Sequence, residues 1–223
     1  MFRAIERARV SANFFFVGDT VREHRGLVRE IASAHAADTH TDTHPNLRRL
    51  TKEQQRDQIR RGRGVLEDLL GSPVLGFRAP YHHLNQDTVD VLNEERFRFD
   101  ASMLYFRYNP GNLQEVYPTW FREWMPLYGQ LGLSPETTFG VFRTLVRLRN
   151  TCVLPAHPQY SGRDAALARG FENFLHWSVD QGARFWRIQD WLLARRGVAV
   201  APLPVAGGGG GLPQQESSAV VSG

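Results

Sequence analysis

Ser11-Ala12-Asn13-Phe14-Phe15-Phe16-Val17-Gly18 is a short apolar run closed by glycine, and its reading decides the fold class. It is too short and too aromatic for a helix of its own, so it reads as a strand buried on both faces. Before it, Phe2, Ile5, Ala8 and Arg9 form a short helical stripe. After it, Asp19 stands where an N-cap is expected, and Val21, Leu27, Val28 and Ile31 recur at helical spacing. The same alternation continues: a strand over residues 36–41, then a helix opened by the capping-box pair Thr51 and Gln54 and lined by Ile59, Leu66, Leu69 and Leu70. Gly62 and Gly64 are expected to weaken that helix. Further strands are predicted over 74–77, 97–102, 151–156 and 183–188. Helices are predicted after Asn85 and Ser134, over 164–180 and over 191–196. Residues 109–132, rich in Pro, Gly and Trp, read as a loop. Strands alternating with helices imply right-handed crossovers and a parallel sheet or β/α barrel, with the site at the carboxyl ends of the strands.

Composition narrows the function. The 223 residues are enough for one core-bearing domain. The net charge is only +4 and Lys52 is the sole lysine, so the pI of about 9.6 reflects arginines spread along the chain rather than a nucleic-acid-binding arm. Cys152 is the only cysteine, which excludes an internal disulfide and a cysteine-built zinc site. No apolar run reaches membrane-span length and residues 1–10 read as an amphipathic helix, so a cytoplasmic location is expected. Gly207 to Gly211 are consecutive glycines, and residues 204–223 are expected to be a disordered tail beyond a domain over 1–203.

Three short motifs carry chemistry. In Asp38-Thr39-His40-Thr41-Asp42-Thr43-His44, Pro45 disfavours a helix at His44. An extended chain would project Asp38, His40, Asp42 and His44 to one side as four metal-competent groups. Two imidazoles with a carboxylate and open positions suit a hydrolytic metal site; two unrelated histidines in a solvated loop are the alternative. Phe77-Arg78-Ala79-Pro80-Tyr81 closes a predicted strand, where an arginine can orient a carboxylate and a backbone N–H can face an oxyanion. Leu154-Pro155-Ala156-His157-Pro158 closes another, placing a histidine where a general acid could act.

With Ala12 to Gly18 ahead of them, these motifs occur in the order found in the polysaccharide deacetylase superfamily, carbohydrate esterase family four, which the chain resembles from about Phe2 to Trp191. The resemblance implies a distorted β/α barrel and a divalent metal, zinc, that serves removal of N- or O-acetyl groups from carbohydrate, hydrolysing a non-peptide C–N bond in the N-acetyl case. It implies that His40 and His44 ligate the metal, that Arg78 orients the catalytic base, that the Tyr81 N–H supports the oxyanion, that His157 is the general acid and that Leu154 walls the acyl pocket. For the family's Asp-Trp motif, Glu123-Trp124 is the first candidate, with Glu123 serving His157 and Trp124 the substrate; Asp100 is the second.

The family's opening strand, with its paired aspartates, has no counterpart before Phe2. The barrel is therefore expected to be incomplete and truncated at its first strand, with Asp38 or Asp42 replacing the missing ligand. The expected partners are a carbohydrate or small N-acyl substrate, with neither nucleic acid nor membrane. The alternative reading is a non-catalytic carbohydrate- or partner-binding remnant of the same fold.

Overall fold

The computed structural model describes residues 1–102, 108–119, 132–158, 164–199 and 218–222. The chain divides into two compact units, one of residues 13–118 and one of residues 1–12 with 119–223. All the strand pairings described within each are parallel.

In the 13–118 unit the strands are β1 (Asn13–Phe16), β2 (Ala36–Thr39), β3 (Gly76–Phe77), β4 (Phe99–Asp100) and β5 (Gln114–Glu115), in the spatial order β5-β4-β3-β2-β1. The phenylalanine run is a strand with every residue buried, as its composition requires. The expected single helix after it is two, α2 (Gly18–Glu23) and α3 (Arg25–Ala34), because His24 leaves helical geometry. Asp19 is inside the first turn of α2 rather than at its cap, which Val17 occupies. Helix α4 (Lys52–Leu70) starts at the capping box of Thr51 and Gln54 and ends on Gly71 in the left-handed conformation. Asn85 and Thr88 form a second capping box that opens α5 (Gln86–Glu94).

A polar joint fastens α4 to α5. The buried Gln55 amide donates to Leu50 O and Asn85 Oδ1, and Thr88 Oγ1 donates to Gln55 Oε1. Many arginines of α4 face acids: Arg56 and Arg60 meet Glu94 and Glu95, while Arg61 and Arg63 meet Asp57 and Glu67 on their own helix. The basic residues here belong to ion-paired helix faces worth at most about 1 kcal/mol per exposed pair.

The centre of this unit is a buried carboxylate. Asp38 Oδ2 accepts from Asn13 Nδ2 at 2.7 Å and Oδ1 accepts from Gly76 N at 2.8 Å, so one side chain ties β1, β2 and β3. Gly76 has no room for a side chain: a Cβ there would lie 2.1 Å from the Phe99 ring and 2.7 Å from Asp38 Oδ1.

The other unit holds α1 (Phe2–Ala8), α6 (Pro135–Leu148), β6 (Thr151–Pro155), α7 (Ala165–Asp180), β7 (Arg184–Phe185) and α8 (Ile188–Ala194). Phe139, Phe142, Phe171 and Phe174 pack α6 on α7 with ring centroids 5.9 to 6.4 Å apart. Arg7 of α1 makes a two-pronged ion pair with Glu172 of α7, at 2.5 and 2.7 Å. Within the stretch expected to be a disordered tail, residues 218–222 form strand β8 (Ser218–Ser222). It pairs with β6 along five residues and with β7 along two.

Replacing Asn13 with Ala would remove one of the hydrogen bonds to a carboxylate that cannot reach water. A loss of about 1–3 kcal/mol in unfolding free energy is expected, measured by urea denaturation at neutral pH.

Candidate active site

The loop after β2 carries the two motif histidines, and its shape is imposed from several directions. His40 N donates to Phe16 O at 2.8 Å, extending the β1–β2 pairing by one residue. Thr41 then turns into the left-handed region at φ 69°, and His44 does so again at φ 61°. The N-terminus of α2 grips the turn: Gly18 N and Asp19 N donate to the carbonyls of Thr41 and Asp42, each at 3.0 Å. From the far side, Gln58 Oε1 on α4 accepts from Thr43 N at 3.0 Å and from Thr43 Oγ1 at 3.1 Å. Gly62 on the same helix makes this approach possible, since a Cβ there would lie 2.5 Å from the Thr41 carbonyl. The glycine expected only to weaken α4 is therefore a point where helix and loop touch.

The four residues expected in one row are not brought together. Asp38 points among the strands, as described. Asp42 pairs with Arg22 of α2. The left-handed turn at Thr41 takes Asp42 off the extended path, whereas Asp38 lies ahead of that turn in β2 and is engaged there by Asn13 and Gly76. His40 and His44 do come together, with ring centroids 4.9 Å apart and edge to face, and the Tyr81 ring lies 4.8 Å from His44. His40 is buried, and its Nδ1 donates to Arg78 O at 2.7 Å, which leaves Nε2 as the nitrogen with a lone pair to offer. Partial burial lowers the His44 pKa, so its ring stays neutral at pH 7.

The Arg78 segment leaves β3 with Arg78 N donating to Thr39 O at 3.2 Å. Pro80, Tyr81 and His82 make a tight turn in which Tyr81 and His82 both have positive φ, 57° and 55°. That turn leaves Tyr81 60 % exposed beside His44. Arg78 goes the other way: it is buried, its guanidinium lies 5.3 Å from the Phe15 ring centroid, and burial pulls its pKa down to about 10 against the attraction of Asp100. Ser102 stitches the turn from behind. Its Oγ accepts from Ala79 N at 2.6 Å, and its carbonyl accepts from His82 Nδ1 at 2.8 Å.

Of the remaining expected site residues, Leu154 is buried in β6 and His157 stands half-buried just past the end of that strand. Glu123 and Trp124 lie outside the described residues. Sequence reading missed His82, Ser102 and Glu115. The doubled histidine after Tyr81 and the period-two run ending at Ser102 were the available signals for the first two.

A catalytic zinc takes three protein ligands and an open position. His40 and His44 would fill two of those places. Among the described residues no group of three His, Cys, Asp or Glu could hold a metal ion, and Asp38 and Asp42 are engaged elsewhere. The described residues therefore do not complete such a site by themselves.

The polysaccharide deacetylase family model matches residues 1–99, the stretch that contains β1, the histidine loop and the Arg78 turn. Over that stretch the chain is similar to polysaccharide deacetylases. A peptidoglycan-N-acetylglucosamine deacetylase of Bacillus cereus is 28 % identical over 94 residues, 42 % of this chain and 34 % of that protein, so the match spans about a third of the curated relative's length. Among solved structures, a Mycobacterium smegmatis protein assigned as a polysaccharide deacetylase superposes with a TM-score of 0.65 at 26 % identity, covering 78 % of this chain and 67 % of the other. A CE4 family pseudoenzyme from Bacillus anthracis has a TM-score of 0.60 at 16 % identity over 81 % of this chain and 55 % of its own. That likeness shows the fold alone. The architecture is thus an α/β fold of the deacetylase type, with parallel strands and an incomplete sheet.

His82 is neutral in the fold down to low pH, because burial and the Arg78 charge push its pKa down to about 4. The unfolded chain takes up that proton near 6.5, so stability is lost as pH falls from about 6.5 towards 4. A His82→Gln variant is expected to lose less stability than the wild type across that window, as read from urea midpoints at each pH.

Proposed function

We propose that the chain is a hydrolase of the polysaccharide deacetylase type that removes acetyl groups from N- or O-acetylated carbohydrate, releasing acetate and a free amine or hydroxyl. The observation that carries this reading is the convergence of His40, His44 and Tyr81 at the carboxyl ends of β2 and β3, within the stretch matched by the family. His40 is held in one tautomer by Arg78 O, which favours a role for its Nε2. The exposed Tyr81 ring beside His44 suits a sugar ring, and the Tyr81 N–H is assigned to the developing oxyanion. His157 is assigned to protonation of the leaving group, with Leu154 bordering the acetyl methyl. Glu123 and Trp124 keep the roles expected for them in serving His157 and the substrate.

Metal dependence, with zinc as the metal, rests in this reading on His40 and His44. The substrate expected is a carbohydrate or small N-acyl compound. No helix among the described residues is long and apolar enough to cross a membrane, and a cytoplasmic location remains part of the proposal.

A second reading is favoured by one observation: both acidic residues nearest the histidines in sequence are already committed, Asp38 to the sheet and Asp42 to Arg22. A non-catalytic carbohydrate-binding protein on the same fold would look this way.

Acetate release from N-acetylated chito-oligosaccharides, assayed with added Zn²⁺ or Co²⁺, separates the two. Deacetylation should be metal-stimulated and should fall at least about 100-fold in His40→Ala and in His44→Ala. Saccharide binding with no acetate under any metal would instead establish the second reading. Acetate release unchanged in both histidine variants would overturn the first.

A further inference from the structure

Where β4 pairs with β5, two carboxyl groups meet with no donor between them among the described residues. The parallel register of β4 on β5 sets Asp100 directly beside Glu115. Asp100 is fully buried; its Oδ1 accepts from Ser102 Oγ, whereas its Oδ2 and both Glu115 oxygens accept no hydrogen bond among the described residues. Ionised carboxylates are acceptors only, so two of them side by side would repel and leave these three oxygens unsatisfied. One proton placed on either group turns it into a donor to the other, which removes the repulsion and engages two of the three oxygens.

The pair also has a buried cation to answer. Asp100 is the carboxylate whose charge acts on Arg78, and the Arg78 carbonyl is the group that holds His40 Nδ1. Ser102, bonded to Asp100, supports the same turn through Ala79 N and His82 Nδ1.

We propose that Asp100 and Glu115 hold one proton between them, and that the single negative charge left on the pair positions Arg78 and, through its backbone, His40. Both acids are positioning residues. The proposal rests on the deacetylase reading only in taking His40 to matter for that site.

The groups facing the pair agree with a shared proton. Arg78 faces it from the end of β3, Ser102 from the end of β4 and Tyr117 from just beyond β5. Burial and the neighbouring Asp100 charge push the Glu115 carboxyl up to about 9, far above the usual carboxylate range. Burial likewise raises Asp100, against the bond from Ser102 and the attraction of Arg78. Tyr117 is raised to about 12 by burial and by the two acids.

The unfolded chain releases the Glu115 proton near 4.5 while the fold keeps it to about 9. Raising the pH between those values therefore favours the unfolded state, by up to about tenfold in the folding equilibrium constant per pH unit. Glu115→Gln keeps the shape and the donor but has no proton to lose. Urea denaturation between pH 7 and 9 should show the wild type losing up to about tenfold per unit relative to Glu115→Gln.

A second readout follows His40 by ¹⁵N NMR on the full chain. Its Nδ1 resonance should move between pH 8 and 10 in the wild type, as the second negative charge forms behind Arg78, and should stay fixed in Glu115→Gln. Equal pH slopes in the two proteins would overturn the shared proton. An Nδ1 resonance that moves identically in both, or in neither, would overturn the positioning role. Neither readout uses deacetylase activity, so a failed acetate assay leaves this proposal standing or falling on its own results.

Discussion

A carboxylate with no route to water, Asp38, sits where three parallel strands meet, and much else in the 13–118 unit is arranged around it. A buried charge is tolerable only if its lone pairs are filled, and here a side-chain amide and a backbone N–H fill them. Even so, burial raises Asp38 to about 6, so the fold binds its proton more tightly than the unfolded chain does. Those two bonds also fix what surrounds them. Gly76 must lack a Cβ to let Asp38 and Phe99 approach, and Asn13 must be the polar residue in an otherwise aromatic strand. Because the strands are pinned there, the residues immediately beyond them, His40 after β2 and Arg78 after β3, leave the sheet side by side.

The site is therefore built from loops whose positions are dictated by backbone contacts more than by the site residues themselves. The Thr41 turn is held by α2 from one side and α4 from the other, with glycines at both approaches, Gly18 and Gly62. A side chain at either would collide with the loop that carries the imidazoles. Several non-glycine residues with positive φ, Thr41, His44, Tyr81 and His82, lie in these two loops. Such backbone strain persists only where the surroundings over-determine it, and here it coincides with the residues that face one another.

What could be read in the sequence followed from local chemistry. The phenylalanine run could only be a buried strand, and the caps at Thr51, Asn85 and Ser134 open helices as their side chains require. The histidine pair was legible because its spacing survives whatever path the loop takes between the two residues. The acids were harder to read: Asp38 is drawn off by Asn13 and Gly76 from strands distant in sequence, and grouping Asp42 with the histidines assumed an extended chain where nothing in Thr41 signals a left-handed turn. That turn comes from contacts with helices distant in sequence. Strand β5 was hidden because two residues inside a Pro- and Gly-rich stretch carry no period, and with it went Glu115 and its place beside Asp100.

The ion pair between Arg7 and Glu172 also bears on the order in which the molecule can assemble. The 13–118 unit draws its contacts from one continuous stretch and can close as soon as that stretch is available. Helix α1 cannot: it is synthesised well ahead of that unit, yet its partner α7 comes long after it. During synthesis an amphipathic helix must therefore wait, its apolar face uncovered, while a whole neighbouring unit forms. Long-range docking of this kind is slow and leaves exposed apolar surface in the meantime. The first helix described can thus dock only after α7 has been made, at the far end of the sequence.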